Sequence, residues 1–161
     1  MSKFEQPPAS PAESGHEQSA EKFGRAKDIF RKVASSAERT LRGQDGGVDH
    51  EAAVSNFVGF RKAMERMAEE LEEAGKILEG TVPAETYNHF CANTNFGWLC
   101  GIKTDTDHFS VTDVRGRRGE RAGEWTALCQ RFYDEVQNLP GVFQQWEEEF
   151  SRAASKETGA E

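Results

Sequence analysis

The sequence has no long apolar run and few cysteines. No stretch approaches the roughly 20 apolar residues of a membrane-spanning helix, and the N-terminal residues lack the apolar core of a secretory signal. Cys91, Cys100 and Cys129 are odd in number and widely spaced, so a disulfide framework does not account for all of them. We therefore expect reduced thiols, a cytoplasmic location and no membrane partner.

Positive charge is outnumbered by negative charge. The chain has 20 Lys and Arg against 28 Asp and Glu, which gives a net charge of -8 and a pI near 5.1. This balance disfavours nucleic acids and anionic membranes as partners, because both attract positively charged proteins. The motifs GxGxxG, GxxxxGK(S/T) and GxSxG are absent as well. We predict no cofactor and assign no catalytic residue.

The strongest pattern in the sequence is helical. Between Asp49, a suitable N-cap, and Gly80, a suitable helix end, apolar residues recur at intervals of four and three. This is the spacing of a helix that packs lengthwise against another helix. We call these positions the seam: Ala53, Phe57, Phe60, Met64, Met67, Leu71, Ala74 and Leu78.

A second stripe of the same kind precedes the seam. Apolar residues step by three and four through residues 19–42, and Gly43 is placed to end that helix. Only a short glycine-containing loop, residues 44–48, separates the two stripes. We therefore predict a long antiparallel helical hairpin.

The second helix of this hairpin is predicted to be longer than the first. Its far end would then lack a partner within the hairpin and need cover from the C-terminal half or from another subunit. We predict that this end contacts another protein chain, with a second copy of this chain as one candidate. The predicted contact residues are Met67, Leu71, Ala74 and Leu78.

The C-terminal half combines helical stripes with an irregular insert. Pro83 suits the start of a third helix that ends near Ala92. Residues 93–120 are polar and aromatic, and the alternation in residues 109–114 predicts a strand, which would pair with residues 99–103 in a small β-hairpin. A fourth helix is expected from Ala122. Pro140 is expected to cause a break or kink beside Leu139, and a fifth helix is expected after it.

These elements predict an all-α bundle of four to five helices. Residues 1–18 contain three prolines and little that could be buried, so a disordered tail is expected there. A single helical domain is expected over residues 19–156, followed by a flexible C-terminus at residues 157–161. Such a bundle, without a reactive centre, favours a protein-binding or assembly module, such as a small subunit or an adaptor.

A second hypothesis places a metal or small-molecule site in residues 88–113. The candidate zinc ligands are His89, Cys91, Cys100 and His108, although structural zinc sites usually bring ligands in pairs two to four residues apart. Candidate cation ligands are Asp105, Asp107 and Asp113, but they do not match the calcium-loop template. Cys100 as a nucleophile and a histidine as its general base would be a further, catalytic interpretation, but no local motif supports it.

A third hypothesis concerns the arginine-rich segment RGRRGER. Guanidinium groups grip phosphates and carboxylates, so this loop is a candidate contact for a protein partner or, against the charge of the whole chain, for nucleic acid. Its arginines are Arg115, Arg117, Arg118 and Arg121.

Overall fold

The structure is a computed structural model that describes residues 11–116 and 119–157, with the side chains of residues 18–116 and 119–155. The expected tail over residues 1–10, the end of the chain from residue 158, and both Arg117 and Arg118 lie outside the described residues. The prediction of an all-α fold is confirmed, since the described residues form helices and no strand.

Three long helices carry the fold and five short ones complete the described part of the chain. The long helix α1 packs against both α3 and α8. The helices are α1 (Pro11–Thr40), α2 (His50–Ser55), α3 (Phe57–Glu79), α4 (Ala84–Ala92), α5 (Phe96–Cys100), α6 (Ile102–Thr106), α7 (Val111–Arg115) and α8 (Ala122–Glu157).

The first helix begins earlier than its apolar stripe predicts. It starts at Pro11 rather than at residue 19, so residues 11–18 of the expected tail are helical. Proline suits the first position of a helix, because its fixed φ is helical and its missing N–H has no intrahelical partner there. The predicted stripe of Phe23, Phe30 and Val33 is buried.

The predicted second helix is divided at Asn56 into α2 and α3. Asp49 caps α2 as predicted, with its carboxylate accepting from the Ala52 N–H at 2.9 Å, and Gly80 ends α3. Asn56 has a non-helical backbone, φ -112° and ψ 44°. The apolar spacing continues across it, because Ala53 and Phe57 are both buried, and so the spacing alone does not reveal the break.

The far end of the seam is buried by other helices of the same chain. The expectation that this end lacks a partner within the chain, from which a contact between subunits was predicted, is therefore corrected. Met67, Leu71, Ala74 and Leu78 are at most 1% exposed. Helices α4 and α5 pack against α3 at this end. They approach Gly75 so closely that an added Cβ would lie 2.7 Å from the Tyr87 hydroxyl oxygen and 3.2 Å from the Phe96 ring.

The predicted β-hairpin is wrong, because residues 93–116 form three short helices in place of strands. The expected strand covered residues 109–114, but α7 begins at Val111 and runs to Arg115. The Ser110 hydroxyl accepts from the Asp113 N–H, and the Asp113 carboxylate accepts from the Ser110 N–H, each at 3.1 Å. This reciprocal pair is a capping box, which stabilises the first turn of a helix.

The predicted break at Pro140 is also wrong, because α8 continues through it. The missing N–H costs one helical hydrogen bond, and a proline inside a helix costs about 3 kcal/mol. Leu139 and Phe143 flank the proline and are both buried. Burying such side chains recovers about 1.5–3 kcal/mol each, which offsets that cost. The expected fourth and fifth helices are therefore one helix.

Apolar residues lie on one face of each long helix and form one core. The largest cluster of aromatic side chains in this core joins α4, α5 and α8. The ring centroid of Phe90 lies 5.5 Å from that of Phe96 and 5.2 Å from that of Phe150. None of the described helices is both long enough and apolar enough to span a lipid bilayer.

Candidate functional site

The residues of the metal hypothesis do not converge. His89 on α4 packs edge-on against Trp146, with 5.5 Å between ring centroids, whereas His108 is exposed in the segment between α6 and α7. Among the described residues, no group of three or more His, Cys, Asp and Glu is arranged to hold a metal ion.

The three cysteines are free and their thiols favour the protonated form. Burial raises the pKa of Cys100 and of Cys129 from the ordinary value of 9.0 to about 12. Burial is also the main cause of the raised pKa of Cys91. Because the thiolate is the nucleophile, this environment gives no support to cysteine chemistry at neutral pH.

The three candidate aspartates have separate roles. Asp105 accepts the indole N–H of Trp98 at 2.8 Å, and Asp113 belongs to the capping box of α7. Asp107 is exposed at the end of α6. They therefore do not form one cation site.

Arg121 joins the segment before α7 to the start of α8. Its guanidinium donates to the His108 carbonyl oxygen and, at 3.2 Å, to Glu124. It lies 3.7 Å from an Asp113 carboxylate oxygen and 4.1 Å from the centre of the Phe109 ring. Acceptors of the same chain thus surround this arginine, in contrast to Arg115, which is exposed on α7.

Two hollows lie on either side of the Ser110 cap. Val111 lines the first hollow and Phe109 lines the second, although the two residues are separated only by Ser110. Two residues of extended chain span at most about 7 Å, so the hollows are neighbours on the surface.

The first hollow, which we call the valine groove, lies between α3 and α7 and has a volume of about 260 Å³. Val58 and Val111 are each 45% exposed, and they are the large hydrophobic residues that stand exposed in the described part of the chain. Both line this groove, together with Phe57, Arg61, Lys62 and Glu65.

Positive charge predominates at the rim of the valine groove. Arg61 pairs with Glu65 at 3.3 Å, and the same Glu65 carboxylate accepts from the Thr106 hydroxyl at 2.8 Å. Lys62 is exposed and forms no ion pair with a described residue. Of the described charged residues that line the groove, Lys62 is thus the cation without an ion-pair partner, and it lies beside two exposed valines.

The second hollow, which we call the Arg131 cleft, has a volume of about 370 Å³ and lies between the segment around His108 and the first half of α8. The Arg131 guanidinium lies 3.9 Å from the centre of the Trp98 ring. Its lining residues are Asp105, His108, Phe109, Arg121, Glu124, Ala127, Leu128 and Arg131.

Sequence reasoning missed the residues that define both hollows. Val58 is one residue away from the buried face of α3, and Arg131 is one of many charged residues beside an apolar stripe. Neither carries a local signal, since only tertiary packing brings Val111 to Val58 and Trp98 to Arg131. Of the residues named in the sequence hypotheses, Asp105, His108 and Arg121 line the Arg131 cleft.

Comparison with known proteins finds no relative from which a function could be carried over. No family model matches the chain, and neither the curated proteins nor the solved structures contain a match.

Proposed function

We propose that the protein is a non-enzymatic protein-binding module that docks a partner chain on the valine groove. One observation carries the proposal: the exposed large hydrophobic residues of the described chain, Val58 and Val111, are distant in sequence but line the same groove. Exposed apolar side chains that cluster in a hollow favour burial against a partner, because burial removes their surface from water.

The charge around the groove specifies the kind of partner. Arg61 and Lys62 stand beside the two valines, and only Arg61 has a carboxylate partner among the described residues. A segment with an apolar side chain for the groove and a carboxylate for Lys62 complements this surface. The net charge of -8 on each copy opposes self-association, so the proposed partner is a different chain.

Photo-crosslinking tests the docking surface in cells that produce the protein. Benzoylphenylalanine replaces Val58 in one variant and the exposed Arg25 of α1 in a matched control. We expect one protein to be cross-linked from position 58 and not from position 25. Equal cross-linking from both positions, or cross-linking only to a second copy of the chain, would contradict the proposal.

Titration calorimetry with the purified partner then tests the groove directly. We expect Val58→Ser and Lys62→Glu each to weaken the affinity at least about tenfold, because interface residues at the centre of a contact dominate binding. Arg25→Gln is the control and should leave the affinity unchanged. If Val58→Ser binds as tightly as the unmodified chain, the groove is not the docking surface.

Two finer features are inferred with this function. The antiparallel hairpin of α1 and α3 is supported by the antiparallel bridge between Arg42 and Val48 in the connection after α1. A cytoplasmic location is supported by the three free thiols, which a reducing compartment preserves. Antibody detection in fractionated cells tests the location, and recovery outside the cytoplasmic fraction would contradict it.

A further inference from the structure

Two side chains of opposite charge contact Trp98, one on the face of its ring and one at the ring edge. The Arg131 guanidinium stacks 3.9 Å from the ring centre, and the indole N–H donates to the Asp105 carboxylate at 2.8 Å. Arg131 and Asp105 form no ion pair with each other or with another described residue. Trp98 therefore positions the Arg131 guanidinium and the Asp105 carboxylate in one cleft, and neither group is paired with an opposite charge of a described residue.

The side chains of Arg121 and Glu124, which also line the Arg131 cleft, already have partners within the chain. Glu124 pairs with Arg121 at 3.2 Å, and Arg121 also donates to the His108 carbonyl oxygen. The guanidinium of Arg131 and the carboxylate of Asp105 are thus the charged groups that remain for a ligand. Stacking on the indole also restrains the guanidinium, which lowers the entropy that a ligand must offset when it binds.

The space between these charges is partly apolar and small. Phe109 and Leu128 are half-buried in the cleft wall, and Ala127 adds a methyl group. A volume of about 370 Å³ is near the lower end for small-molecule sites, which range from about 300 to 1,000 Å³. The cleft therefore suits a ligand of roughly amino-acid size.

We propose that the Arg131 cleft binds a free α-amino acid with an apolar side chain. The ligand carboxylate accepts hydrogen bonds from the Arg131 guanidinium, and its ammonium group donates to Asp105. Its side chain packs on Phe109 and Leu128. Binding is non-covalent, and its contact residues include neither Val58 nor Lys62, so this proposal can be tested separately from the proposed docking groove.

This charge arrangement discriminates between a zwitterion and either single ion. A ligand with only a carboxylate satisfies Arg131 but leaves the Asp105 carboxylate without a cation, and a ligand with only an ammonium group does the reverse. Leaving one charged partner unmatched reduces affinity, because that group loses water without gaining an ionic contact.

A ligand series on the unmodified full chain tests the proposal without any mutation. The probes are L-phenylalanine, 3-phenylpropionate, which lacks the amine, and phenethylamine, which lacks the carboxylate. NMR titration follows the indole N–H signal of Trp98. We expect saturable binding of phenylalanine and at least about tenfold weaker binding of both single ions. Equal binding of either single ion, or no binding of phenylalanine, overturns the proposal.

Charge-neutralising variants then assign the two contacts. Arg131→Gln and Asp105→Asn are each expected to weaken phenylalanine binding at least about tenfold, and the asparagine oxygen can still accept the Trp98 N–H. The controls are Arg25→Gln and Asp28→Asn on the exposed face of α1. Unchanged affinity in Arg131→Gln, or equal losses in the controls, overturns the assignment. Val58→Ser should bind phenylalanine normally, which separates this site from the docking groove.

Discussion

Among single residues, the buried thiols determine how stability responds to alkali. Cys129 is fully buried, and its pKa is about 12 in the folded chain against an ordinary value of 9.0. Above about pH 9 the unfolded state releases this proton first, so the free energy of unfolding falls as the pH rises toward 12. Below that window both states keep the proton and the thiol adds no pH dependence.

Urea unfolding between about pH 8 and pH 11 measures this effect. Each added pH unit within the window should lower the free energy of unfolding by about 1 kcal/mol for one buried thiol. Cys129→Ala lacks the group and should show a shallower decline, whatever its stability at neutral pH. Parallel declines in the two proteins would contradict the assignment to Cys129.

Residue identity predicts burial and capping better than it predicts the candidate sites. All eight seam positions are buried, and Asp49 caps α2, because both features depend on residues close in sequence. The contacts of Trp98 with Arg131 and of Val58 with Val111 depend on how separate helices pack. A single sequence contains no local signal for such contacts.

Among the secondary-structure elements, α7 shows how two local patterns compete. Residues 109–114 alternate like a strand, yet they also contain Ser110 three residues before Asp113, the spacing of a capping box. The alternation is only six residues long, and cap hydrogen bonds together with burial of Val114 outweigh it. Pro140 is a comparable case, since the apolar stripe on both sides outweighs its usual effect.

Removing the Ser110 hydroxyl tests the capping box. Ser110→Ala deletes the acceptor of the Asp113 N–H, and losing such a cap costs about 0.5–2 kcal/mol. Because α7 has only 5 residues, we expect faster amide hydrogen exchange confined to residues 111–116. Ser35→Ala on the exposed face of α1 is the control. Unchanged exchange in α7 would show that the cap does not stabilise it.

For the whole molecule, the covered seam predicts stability that does not depend on assembly. Leu71 is fully buried within one chain, so Leu71→Ala should destabilise the protein by about 2–5 kcal/mol through lost packing. Unfolding midpoints of both proteins should stay constant over about a hundredfold range of protein concentration, because a subunit interface would make them concentration-dependent. A midpoint that rises with concentration would contradict this prediction.

The overall class could be predicted because amphipathic periodicity extends over most of the chain. The arrangement of its parts could not, since covering the end of α3 requires α4 and α5, whose position depends on contacts such as Gly75 with Tyr87 and Phe96. Short helices of five residues carry too few turns for a periodic signal. Residues 93–116 were therefore the least predictable part of the described fold.

Phe109 and Val111 lie on either side of Ser110, so one short backbone segment contributes to both hollows. If a molecule in the Arg131 cleft shifted this segment, it would also move Val111 and change the free energy of filling the valine groove. Thermodynamic reciprocity requires both effects to have the same magnitude and sign. An amino acid in the cleft would thereby regulate partner affinity, and the bound partner would regulate amino-acid affinity by the same factor.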